Sequence, residues 1–279
     1  MQPVDSPRGS QPSSTLKARF SPDHLRVLTP QEAARLLAPV DPLDLARAHV
    51  DPDSWDRVLD AVAWDLLYRL EPGLYEKLVD GEKLHPGIIE WLPKAARAIE
   101  VGAGTGRLTL ALVRGFRELI AVEPAAPMRR LLLQKLAVGG HSNARVTGGF
   151  FDDLPVKDDW ADLVMACSAF NPDDSHGGQR GLEEMERVCA PGGMIAIVWP
   201  TEVEWFTERG FEHVAFDGAM ELDYGSREQA REICSIFYPW AIDSVREDGR
   251  LSYEAVGMNP PRDLVYRRET VMGYERTSR

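Results

Sequence analysis

The stretch that most constrains this chain is Ala98-Ile99-Glu100-Val101-Gly102-Ala103-Gly104-Thr105-Gly106-Arg107-Leu108. Apolar residues with one acid among them lead into glycines at 102, 104 and 106, and an apolar helical run follows. The pattern predicts a buried strand, a tight turn and a helix N-terminus. Glycine is required where the backbone takes positive φ or must approach a ligand closely. The N–H groups of a first helical turn lack intrahelical partners, and they suit a ligand carboxylate or phosphate. A small molecule is therefore expected at the tip of this strand.

The 279 residues can bury a full core and leave room for an appendage. A net charge of −12 argues against a nucleic-acid partner, which would want clustered Lys and Arg. The pairs Arg129-Arg130 and Arg267-Arg268 are too short to reverse that. Cys167, Cys189 and Cys234 are too few and too widely spaced for a disulfide framework or a zinc pattern. Asp173-Asp174 reads as a solvated loop, so no metal is expected. No early apolar run resembles a signal peptide and none is long enough to span a membrane, which makes the cytoplasm the expected location.

Along the chain, residues 1–20 are rich in Gln, Pro, Ser and Gly and read as a disordered tail. Residues 21–97 read as a helical cover. Thr29 and Pro30 open one helix, and Asp53 or Ser54 caps another with Trp55, Leu59, Val62, Leu66 and Leu70 on its apolar stripe. From residue 98 to 279, strands alternate with helices. Apolar runs at Ala98–Val101, Glu118–Val122, Ala144–Thr147, Asp162–Ala166 and Met194–Trp199 predict strands buried on both faces. Phe211–Phe216, Leu264–Arg267 and Val271–Tyr274 are further strand candidates. The expected fold is α/β, a doubly wound, mostly parallel seven-stranded sheet with helices on both faces. Residues 218–260 are long for a connection and read as a helical insertion that can cover a substrate. Its stretch Arg227–Val245 puts Ile233, Ile236, Phe237 and Trp240 on an apolar side.

Ligands of open sheets bind beyond the strand C-termini. A nicotinamide or flavin dinucleotide wants G-x-G-x-x-G, and Arg107 stands where its third glycine belongs. A Walker A loop wants Gly-Lys-Ser/Thr, against Gly106-Arg107-Leu108. Glu123 ends the second strand, where a carboxylate can accept hydrogen bonds from both ribose hydroxyls. Together the features specify an adenosine-type ligand.

Five segments in order then resemble the class I S-adenosylmethionine-dependent methyltransferases. They are Glu100–Gly106, Val122-Glu123-Pro124, Gly148–Pro155, Asp162–Ala166, and Arg187–Gly193 running into Met194–Val198. The resemblance implies S-adenosylmethionine as cofactor and S-adenosylhomocysteine as product. It implies that Gly102, Ala103, Gly104, Thr105 and Gly106 accommodate the methionine portion, with Glu100 near its amino group. Glu123, beside Pro124, would take the ribose, and Ala166 and Cys167 would lie near the methionine end. Many members carry an adenine-binding Asp in the loop after strand three, where this chain has Phe150. The base can stack on Phe150 or Phe151, or Asp152 can reach it.

Methyl transfer from a sulfonium is a direct displacement, and a general base is needed only for a protonated acceptor. His176, in the loop after strand four, and Tyr75, in the helical cover, are the candidate catalytic residues. His85 is a weaker candidate, and His213 reads as structural. Trp55, Trp64, Trp91, Trp205, Phe237, Tyr238 and Trp240 can line a pocket or fill a core. A reactive Cys167 is a further alternative, with buried inert thiols favoured. The favoured activity is methylation of a small molecule. Protein methylation, a dinucleotide-dependent oxidoreductase and a non-catalytic cofactor-binding protein are the alternatives.

Overall fold

The computed structural model describes residues 14–48, 50–51 and 54–269. Strands in chain order are β1 (Ala95–Val101), β2 (Phe116–Val122), β3 (Ala144–Thr147), β4 (Ala161–Cys167), β5 (Cys189–Val198), β6 (Glu212–Ala215), β7 (Glu221–Asp223), β8 (Arg250–Ser252) and β9 (Asp263–Arg268). Seven of them form one sheet in the order β3-β2-β1-β4-β5-β9-β6. The first five in that order run parallel, and β9 is antiparallel to both β5 and β6. The expected seven-stranded, mostly parallel α/β sheet is present. The strand proposed at Val271–Tyr274 lies outside the described residues.

Two compact units divide the chain: Leu84–Gly218 with Pro261–Arg279, and Met1–Lys83 with Ala219–Pro260. The sheet belongs to the first. Its central strands are buried over Ala98–Val101, Leu119–Val122 and Leu163–Cys167, because helices cover both faces of a parallel sheet. One face packs Ile99, Val101, Ile120, Val122, Val164 and Ile195 against Leu182, Met185 and Val188 of the helix Gly178–Val188. Burying each such aliphatic side chain contributes about 1.5–3 kcal/mol.

Strand register then sets the site. Val101 pairs with Val122 on one side and Ala166 on the other, while Val122 pairs with Thr147. Consequently Gly102, Glu123, Cys167 and Gly148 all fall along one carboxyl edge, and the reversal of strand order between β1 and β4 lies among them.

In the other unit, the helix Trp55–Leu70 buries Val58, Leu59, Val62, Ala63, Leu66 and Leu67. Thr29 caps the helix Pro30–Leu37 in a reciprocal box with Glu32. Ser54 precedes Trp55 but its hydroxyl donates to Asp51 instead of capping; Asp53 lies outside the described residues. Residues 14–20 depart from the expected tail. Ser14–Lys17 is helical, Leu16 and Phe20 are buried, and Lys17 bridges Asp56 and Asp60 at 2.8 Å each. Two apolar anchors in a polar stretch suffice to dock it. The residues 219–260 contribute the hairpin β7–β8 and the helix Arg227–Phe237. Ile233, Ile236 and Phe237 are buried as expected, but Trp240 is 57 % exposed. The helix stops before Pro239, and the following tight turn carries Trp240 out of the apolar stripe.

Candidate active site

The glycine turn folds onto the end of β2. Gly102 and Ala103 both donate their N–H groups to the Val122 carbonyl, at 2.9 and 3.0 Å, and Gly106 donates to Ala103 at 2.9 Å. All three glycines are left-handed, with φ of 70°, 56° and 96°. A Cβ on Gly106 would meet Leu132 Cδ1 at 2.3 Å, so the third glycine lets the following helix pack closely. The N–H groups of 102, 103, 104 and 106 serve the protein itself.

Glu123 explains the fourth bond. Its Oε2 accepts the Gly104 N–H at 3.0 Å and its Oε1 accepts the Ala125 N–H at 2.8 Å. A carboxylate carries about four acceptor positions, more than these two donors use. The side chain is only 6 % exposed and stands at the strand tip beside the turn. Glu100 is buried more deeply, and the Thr109 hydroxyl donates to its Oε2. Burial pushes its pKa up to about 8, opposed by the Thr109 bond and by Arg107 and reinforced by Glu123. Thr105 adds a buried hydroxyl whose oxygen has no hydrogen-bond partner.

Sequence missed several of these features. Thr109 gave no signal as the partner of Glu100, because their contact depends on how the helix returns over β1. In sequence, Arg107 reads only as a departure from the dinucleotide fingerprint. Its guanidinium lies over the Trp199 ring, 5.2 Å from the centroid, reaching from the glycine turn to the end of β5. Trp199 and Ser168 follow β5 and β4 with φ of 55° and 54°. Side chains are rarely held in that region, and such strain concentrates at functional sites.

Some of the other sequence candidates stand beside the turn and others lie away from it. Phe150 closes a turn with Asp153 through two main-chain bonds, and Asp152 lies 3.7 Å from Arg180. Phe151 packs edge-on to Phe170 at 5.3 Å, and its ring tip lies against Gly102. Arg187 and Glu184 hold the same loop, through the Leu154 and Val156 carbonyls and the Leu154 N–H. Ala166 and Cys167 are buried at the tip of β4 beside the turn. Pro124 is half-buried after Glu123. His176 is exposed, with Nδ1 2.8 Å from the Ser175 hydroxyl. Tyr75 belongs to the other unit, where it packs edge-on to Tyr68. His85 accepts the Gly87 N–H, and His213 pairs with Asp263 at 3.0 Å. Cys189 and Cys234 are pushed up to about 12 and about 11, first by burial, which makes them poor nucleophiles. No cluster of metal-binding side chains occurs among the described residues.

Residues 98–193 match the methyltransferase-domain family. Over this segment the chain is similar to methyltransferase domains. Uncharacterized methyltransferases of Mycobacterium bovis and Mycobacterium tuberculosis are 34% identical to the chain over 142 residues, 48% of this chain and 53% of theirs. The chain thus spans about half the length of these curated relatives. A malonyl-[acyl-carrier protein] O-methyltransferase of Methylococcus capsulatus is 28% identical over 67% of this chain and 73% of its own. The crystal structure of an S-adenosylmethionine-dependent methyltransferase from Aquifex aeolicus is also similar, at 20% identity and a TM-score of 0.43, covering 55% of this chain and 94% of that one.

The residues at the strand tips fit S-adenosylmethionine, the cofactor that this similarity implies. The Thr105 hydroxyl is a buried polar atom without a partner, and Glu123 is fixed by main-chain donors at the tip next to it. Among the described residues, no helix is long and apolar enough to cross a membrane.

Proposed function

We propose that this methyltransferase domain transfers a methyl group from S-adenosylmethionine to a small-molecule acceptor by direct displacement. The observation that carries the reading is Glu123, clamped by the Gly104 and Ala125 N–H groups beside the glycine turn. Bound S-adenosylmethionine supplies an electrophilic methyl on a sulfonium. Glu123 accepts the ribose hydroxyls. Thr105 and the glycine turn receive the methionine portion, with Glu100 near its amino group. Ala166 and Cys167 form the floor at the tip of β4, and Arg107 on Trp199 walls the side towards β5. Alignment and exclusion of water then provide the rate enhancement that displacement requires.

The net charge of −12 supports a small acceptor over a nucleic acid. His176, exposed in the loop after β4, is the proposed base for a protonated acceptor. Calorimetry with S-adenosylhomocysteine and NADH tests the cofactor assignment. Tight binding of the former with no heat from the latter is expected, and the reverse order overturns it. Incubation with methyl-labelled S-adenosylmethionine and separate metabolite, protein and RNA fractions tests the acceptor. Label confined to protein or RNA overturns the small-molecule reading.

A further inference from the structure

This inference rests on the proposed cofactor reading. On that reading, with the methionine portion at the turn after β1 and the ribose at Glu123 after β2, the purine would lie on the side of β3, the next strand in the sheet. The loop after β3 engages its own neighbours at several positions. Asp152 lies towards Arg180, Phe151 packs on Phe170, and the Phe150 main chain is closed onto Asp153.

What stands between the two strand tips is Arg129. It projects from the first turns of the helix Ala126–Val138 back towards β2. Its Nη1 donates to the carbonyl oxygens of Glu123 at 2.7 Å and Pro124 at 2.8 Å. A Cβ on Gly148, just past β3, would lie 3.4 Å from its Cζ and Nη1. The guanidinium therefore bridges the end of the ribose strand and the start of the loop after β3. Half-buried Arg129 spends both Nη1 hydrogens on those carbonyls, and no hydrogen bond from Nε or Nη2 is found among the described residues. A guanidinium carries five N–H donors in a flat fork and no acceptor, and it stacks on flat rings. Purine ring nitrogens are acceptors, which suits the remaining donors.

We propose that Arg129 is a specificity-determining residue that reads the purine through its ring nitrogens and its flat face, so that the site does not select for the 6-amino group. A carboxylate in that place would require the amino group as a donor. A guanidinium gains nothing from it, and a 6-oxo purine keeps the same acceptors at N3 and N7.

Calorimetry on the full chain provides the test, with three probes: S-adenosylhomocysteine, S-inosylhomocysteine and S-ribosylhomocysteine, which lacks the base. The unaltered protein is expected to bind the first two within about threefold of each other. Arg129→Gln should weaken both by about tenfold or more, the worth of a hydrogen bond to a charged group, and leave S-ribosylhomocysteine unchanged. Arg129→Lys keeps the charge without the planar fork and should fall between. It carries the same three-probe comparison if Arg129→Gln does not fold. A preference of about thirtyfold or more for the adenine form overturns the proposal. So does an equal loss for all three probes, which would mean that Arg129 only braces the Glu123 turn. If the unaltered protein binds no S-adenosylhomocysteine, the cofactor reading itself fails and takes this inference with it.

Discussion

Gly104 donates its N–H to Glu123 Oε2 at 3.0 Å, joining the glycine turn after β1 to the acid at the end of β2. The bond couples two parts of the site that sequence treats separately. Glu123→Ala removes the proposed ribose acceptor and also leaves two main-chain donors without their carboxylate. S-adenosylhomocysteine binding should weaken by about 1.5–3 kcal/mol, the range for hydrogen bonds to charged groups. Calorimetry reads this directly, and undiminished affinity would remove Glu123 from the site.

Glu100 should make stability fall with rising pH. Burial raises its pKa from 4.5 to about 8, so the fold favours its protonated form. The stabilisation is complete below the unfolded value and is lost as pH rises through the folded one. Melting temperatures measured between about pH 4.5 and pH 8 should show this decline superimposed on other titrations. Glu100→Gln, which stays neutral, should flatten that component; an identical slope in both proteins would show that Glu100 is ionised throughout.

Gly106→Ala should destabilise the domain. A φ of 96° suits glycine, and the added Cβ would press on Leu132 Cδ1 at 2.3 Å. The Leu132 methyl can shift, but the backbone strain remains, at about 1–3 kcal/mol. Denaturant unfolding measures the loss. A variant as stable as the parent would mean that the turn relaxes to negative φ.

Cys189 and Cys234 should resist thiol reagents in the folded protein near neutral pH. Burial raises both well above the ordinary thiol value of 9.0. Titration with a disulfide reagent, before and after denaturation, separates buried from reactive thiols. Rapid native modification of both cysteines would contradict their burial.

The alternation of apolar runs and glycine-marked turns was enough to specify the parallel sheet, because strands buried on both faces need apolar residues at nearly every position. Pairing of β9 with both β5 and β6 was less visible, since β6 is short and partly polar. The small hairpin β7–β8, with one buried leucine in each strand, carried too few apolar positions to be recognised.

Sequence by itself determined the glycine turn and the acid after β2, because each depends on local chemistry: positive φ for one and a strand-ending carboxylate for the other. Tertiary structure alone decided which donors the turn keeps for itself, how Glu100 meets Thr109, and how Arg107 reaches Trp199. It also decided that Arg129 stands between the tips of β2 and β3. Those relationships are set by strand register and by the angle at which helices return over the sheet. Both emerge from packing of residues distant in the chain, so no local pattern encodes them.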